Sequence, residues 1–151
     1  MTQVAFHIGI EDRVAYCCRL VRKVLASGAQ ALILGDGPML RRLDAALWAD
    51  EAAGFTPHAL ADGPASIAAH SPVLLAAQVP TDLAQQSVLI NMSDQQPDDP
   101  HQRERVIELV SGDEQAIQDA RQRWKSYKQR GFSLVNHDVR QRASDRATDS
   151  G

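Results

Sequence analysis

Four consecutive apolar residues, Ala31-Leu32-Ile33-Leu34, stand between a glycine at Gly28 and a Gly35-Asp36-Gly37-Pro38 turn. A run that is apolar on both of its alternating faces belongs to a strand covered on both sides, the arrangement of parallel sheets sandwiched by helices. The flanks agree. Val4 to Ile8 reads as a short strand. Asp12 can cap a helix in which Val14, Cys17, Cys18, Val21, Val24 and Leu25 recur at helical spacing, with Gly28 as its stop. Beyond the turn, Pro38 suits the first position of a helix whose buried side is Met39, Leu43, Ala46 and Leu47. Strand, helix, strand, helix implies a parallel βαβ unit with a right-handed crossover. The expected fold class is therefore α/β: a single three-layer domain with a mainly parallel central sheet.

The remaining elements are weaker. Val73-Ala76 and Ser87-Asn91 read as strands, and Asp94 to Pro100 as an acidic loop. Arg105 to Val110 fits either a last strand or a helical turn. Asp113 can cap a long final helix that runs to about Arg130 and stops at Gly131. From Asn136 onward the chain is polar and nearly free of large apolar residues. The expected organisation is a domain over residues 1–135 and a disordered tail over 136–151.

Charge narrows the functional classes. The net charge of −3 argues against a protein that coats duplex DNA through a basic surface. The charges are also segregated. No Lys or Arg occurs from Leu43 to Gln102, whereas Arg121, Arg123, Lys125, Lys128 and Arg130 lie within one short segment that has no acid. A local basic surface on an acidic body points to a specific acidic partner. The cysteines, Cys17 and Cys18, are adjacent, which fits core packing and a reducing compartment. The N-terminus lacks the pattern of a secretory signal, and no apolar stretch approaches the ~18 residues of a membrane span, so a cytoplasmic protein is expected.

The candidate motifs have simple alternatives. Gly35-Asp36-Gly37-Pro38 sits between a strand and a helix, where phosphates often bind, but it lacks the Gly-Lys-Ser/Thr ending of a Walker loop and the third glycine of the dinucleotide fingerprint. A plain structural turn is the better reading. His7, His58, His70, His101 and His137 show no metal-ligand spacing, and His58 reads as a packed or hydrogen-bonded residue. Nothing points to catalytic, cofactor-binding or metal-binding residues.

The final helix is more informative. At about 100° per residue, Ala116, Ala120, Arg123 and Tyr127 share one side, with Arg123 at its edge. Ile117, Arg121, Trp124, Lys125 and Lys128 share another arc of about 100°, with Trp124 at the seam. An aromatic ring beside several cations is what an acidic, aromatic peptide needs from its receptor. A solvated basic face with Trp124 tucked into the core would give the same pattern.

These segments also carry a resemblance. Leu43-Asp44-Ala45-Ala46-Leu47-Trp48, then Phe55-Thr56-Pro57-His58, then Arg121-Gln122-Arg123-Trp124-Lys125-Ser126-Tyr127 with Gly131-Phe132, resemble the chi subunit family of bacterial DNA polymerase III. The resemblance implies a Rossmann-like domain without nucleotide motifs and without catalytic activity of its own, acting within a polymerase holoenzyme. It implies two partners, the psi subunit of the clamp loader and the acidic C-terminal tail of single-stranded DNA-binding protein, which ends in Phe-Pro-Phe and a free carboxylate. It also implies a tail site formed by Trp48, Phe55, Val110, Arg121, Trp124 and Lys125. In that site Arg121 would hold the terminal carboxylate, Lys125 the upstream acids, and the others the aromatic pocket. Trp124 stands where the family favours Tyr, and Ile117 where a basic residue can occur. The psi-binding surface is expected to be apolar and away from the tail pocket.

Two other classes compete. A small nucleotide-binding protein or enzyme on the same fold would need phosphate contacts near Gly35 to Gly37. Direct binding of single-stranded DNA would need several stacking aromatics along a basic track, and an aromatic content of 5% offers few.

Overall fold

The computed structural model describes residues 2–49, 58–60, 71–80 and 86–140. Its elements in chain order are β1 (Gln3–Ile10), α1 (Arg13–Ala26), β2 (Ala31–Leu34), α2 (Gly37–Ala49), β3 (Ala59–Leu60), β4 (Val73–Ala76), β5 (Val88–Asn91), β6 (Arg105–Ser111), α3 (Glu114–Gln129) and β7 (Ser133–Asp138). A short 3-10 turn, Pro100–Gln102, precedes β6.

The strands form one seven-stranded sheet in the order β3-β4-β2-β5-β6-β1-β7. Every pairing is parallel. The central strands β2, β4 and β5 are buried along their whole length, as a sheet covered on both faces requires. Alternate residues go to opposite layers. Ile33, Leu75, Ile90, Ile107 and Leu109 pack with Cys17, Val21, Leu43 and Leu47 of α1 and α2. Leu32, Leu74, Leu89, Val106 and Val110 face the other way and pack with Ala120 and Tyr127 of α3. The result is the expected three-layer, Rossmann-like α/β domain. In sheet order β1 and β2 are not neighbours, because β5 and β6 lie between them.

The expected caps are present. Asp12 accepts a hydrogen bond from the Ala15 N–H at 3.1 Å, and Asp113 accepts from the Ala116 N–H at 2.7 Å. Asp36, not Pro38, opens α2, its Oδ1 accepting from the Met39 N–H at 2.8 Å. Gly131 closes α3 with φ +82°, which glycine adopts without a Cβ penalty. The Gly131 N–H donates to the Lys128 carbonyl and the Phe132 N–H to the Tyr127 carbonyl, each at 3.1 Å. Phe132 then lays its ring against Tyr127, with centroids 5.5 Å apart. Gly28 and Ala29 end α1 with the same bond pattern.

Arg105 to Ser111 is a strand, which resolves the open choice for that segment. The expected boundary at 135/136 falls inside β7, so Asn136, His137 and Asp138 belong to the sheet. Their polarity hid them. This is an edge strand with no fully buried residue, held by parallel pairing to β1 and by Leu134 packing into the α3-side core. Residues 141–151 lie outside the described residues. Among the described residues, no helix is long and apolar enough to cross a membrane.

Candidate partner-binding site

A carboxylate at the centre of β6 sets how α3 sits on the sheet. Glu108 interrupts the apolar run of β6 and is 0% exposed. Its register partner Asn91 on β5 donates to Oε1 at 2.9 Å and Oε2 at 3.1 Å. Arg123 Nε donates to Oε1 and the Tyr127 hydroxyl to Oε2, each at 2.9 Å. Burial holds the Glu108 pKa above its ordinary value, an effect that the Arg123 charge and the three donors offset only in part. The Tyr127 hydroxyl is pushed well above its ordinary value by burial and by the Glu108 charge. Arg123 also donates through Nη1 to the Asp94 carbonyl at 2.9 Å, tying the acidic loop to the same centre.

With Arg123 and Tyr127 turned inward, helical geometry turns Arg121 and Trp124 toward the space between α3 and the β1-β7 edge. There lies a groove of about 430 Å³. Its floor is Phe6 and Ile8 of β1 and Val110 of β6, and its α3 wall is Ile117, Ala120, Arg121 and Trp124. Asn136 of β7 and Arg140 complete it, with Gly9 and Gly112 at the rim. Trp124 is half-buried and rests edge-on against Phe6, centroids 5.2 Å apart. A cationic group beside an open aromatic and aliphatic floor can hold a carboxylate and an aromatic side chain together.

Of the residues expected to form one pocket, Val110, Arg121 and Trp124 do so. Lys125 is exposed one turn beyond Arg121 on α3, flanking the groove without lining it. Trp48 does not join them. It lies in the last turn of α2, in the layer on the opposite face of the sheet, and is 60% exposed. Phe55 lies outside the described residues. Phe6, Ile8, Asn136 and Arg140 escaped the sequence reading, since their place depends on β1 and β7 being neighbours. Glu108 did leave a signal: an acid inside an apolar strand requires a buried partner.

The region that a nucleotide would need looks different. The hollow beside Gly35, about 380 Å³, is lined by Asp36, Asp94 and Asp98, which oppose a phosphate. A wider hollow of about 780 Å³ at the other end of the strands, by Thr2, His101 and Arg130, is more polar than the α3 groove. Among the described residues no group of three or more His, Cys, Asp or Glu side chains is placed to share a metal ion.

Residues 1–135 match the protein family described as DNA polymerase III chi subunit, HolC. The chain belongs to that family. DNA polymerase III subunit chi of Pseudomonas aeruginosa is 30% identical over 142 residues, covering 91% of this chain and 96% of the relative. DNA polymerase III subunit chi of Escherichia coli strain K12 is 33% identical over 119 residues, covering 78% of this chain and 79% of the relative.

In this chi-family chain the two early sequence blocks meet in space. Asp44 of the Leu-Asp-x-x-Leu-Trp block lies 2.8 Å from His58 Nε2 of the Phe-x-Pro-His block. The Trp48 ring stands edge-on to the His58 ring, centroids 5.5 Å apart. His58 is thus a buried, hydrogen-bonded residue, as expected. This contact lies on the α2 layer, away from the α3 groove.

Proposed function

We propose that this chi-family subunit is a non-catalytic adaptor that joins psi, and through it the clamp loader, to the acidic C-terminal tail of single-stranded DNA-binding protein. The tail occupies the groove between α3 and β1. Arg121 holds its terminal carboxylate, Val110, Phe6 and Trp124 hold its aromatic residues, and Lys125 meets its upstream acids. The observation that carries this reading is the single groove in which Arg121, Trp124, Val110 and Phe6 converge. A charge-assisted clamp with one buried aromatic supports micromolar affinity, about 8 kcal/mol. Several tails on one partner raise the effective affinity of the assembly.

Trp48 belongs with the other partner in this reading. It is a large exposed ring on the layer opposite the groove, where an apolar psi-facing surface away from the tail site is expected. The two surfaces lie on opposite faces of the sheet, so both partners can be held at once.

Titration calorimetry with intact single-stranded DNA-binding protein tests the proposal. Binding that disappears when the partner's terminal Phe-Pro-Phe is deleted, yet persists with psi already bound, is the expected result. Equal binding to the truncated partner would overturn it.

A further inference from the structure

The groove contains a second guanidinium, contributed by the segment after β7. Arg140 lines it from the β7 side, and Arg121 lines it from α3. Arg140 meets one oxygen of Asp138 twice. Its backbone N–H donates to Asp138 Oδ1 at 3.0 Å, and its Nε lies 3.5 Å from the same oxygen. Its side chain crosses Gly9, which sits at an irregularity of β1 between His7 and Ile10 with φ +74°. A Cβ on Gly9 would stand 2.5 Å from Arg140 Nε, 3.1 Å from its Cδ and 3.1 Å from Asp138 Oδ1. The missing side chain at Gly9 therefore makes the notch in which Arg140 lies. The arginine side chain remains 65% exposed, so its terminal nitrogens are open to a ligand. Asp138 takes the Nε side and offsets part of the charge, and a planar guanidinium can still present further donors to a carboxylate.

We propose that Arg140 is a second anion-holding residue of the groove, and that Arg121 and Arg140 grip the terminal carboxylate of an acidic, aromatic-ended peptide from opposite walls. This rests on the peptide-binding reading of the groove. A carboxylate has two oxygens with about four lone-pair sites, enough for two guanidinium partners. Placing it between the walls leaves the side chain of that same terminal aromatic residue over Phe6 and Trp124. Arg140 thereby gives the groove its preference for a chain end over an internal acidic segment.

The test uses the full chain and an acidic Phe-Pro-Phe peptide, with either a free or an amidated C-terminus, followed by fluorescence anisotropy. The wild type should lose about tenfold affinity on amidation of the peptide. Arg140→Gln should bind the free-acid peptide about fivefold more weakly and show a smaller amidation penalty. Gly9→Ala, which crowds Arg140 but leaves its charge in place, should act in the same direction, with circular dichroism reporting that it folds. If Arg140→Gln binds both peptides like the wild type while Arg121→Ala loses affinity, the Arg140 assignment is wrong and the groove reading survives. If Arg140→Gln weakens both peptides equally, the carboxylate assignment is wrong. If the wild type binds neither peptide, both readings fall.

Discussion

Arg123 of α3 donates through Nε to Glu108 of β6 at 2.9 Å, with both side chains shut away from solvent. This pair fixes the rotation of α3, and so decides which residues of that helix reach the groove. An isolated buried ion is expensive, and the pair persists because Asn91 and Tyr127 satisfy the remaining oxygen positions.

Removing one partner should therefore be costly. Arg123→Ala leaves a buried carboxylate without its counter-ion and should destabilise the fold by about 3–5 kcal/mol. Urea unfolding measures this directly. Tyr127→Phe removes one donor from the same carboxylate and should cost about 1–3 kcal/mol.

Trp48→Ala should separate the two surfaces. Trp48 is exposed on the α2 layer, so its loss should change stability by no more than about 1 kcal/mol. Tail-peptide affinity should stay within about twofold, while psi binding falls at least about tenfold. Parallel titrations with the peptide and with psi check both.

Trp124 should report occupancy of the groove. In a Trp48→Phe background it is the remaining tryptophan, half-buried against Phe6. A peptide aromatic entering the groove should exclude water from its exposed part and shift its emission to shorter wavelength. The same shift should be absent in Arg121→Ala at equal peptide concentration.

Alkaline pH should weaken the fold. Burial pushes the Cys17 thiol and the Tyr127 hydroxyl well above their ordinary values. The folded state then holds protons that the unfolded state releases, so stability falls as pH rises past the unfolded values. The decline should begin near about pH 8.5, where an unfolded cysteine ionises, and steepen near about pH 10 with tyrosine. Urea midpoints measured from pH 7 to pH 11 test the sign. The same burial should leave Cys17 and Cys18 unreactive toward alkylating agents until the protein unfolds.

Local patterns in the sequence carried most of the architecture. The apolar run of β2, the helical repeats of α1 and α2, and the caps at Asp12 and Asp113 depend on near neighbours, and each stands where its pattern places it. The arc assigned to Arg121 and Trp124 holds for the same reason. Relations between distant elements were less legible. Trp48 was grouped with the α3 residues because sequence blocks do not say which face of a sheet they cover. Arg123 was placed at the edge of the apolar side, since its partner Glu108 lies on a strand whose register is not written in α3. The second half of β7, from Asn136, was read as tail because an edge strand needs few apolar residues, and Arg140 was lost with it.

The most direct test is the anisotropy of a labelled acidic Phe-Pro-Phe peptide titrated with the wild type and with Arg121→Ala. Micromolar binding that weakens with salt, and falls at least about tenfold in the variant, is the expected result. Equal affinity of the two proteins, or no binding by the wild type, would contradict the placement of the tail in the α3 groove.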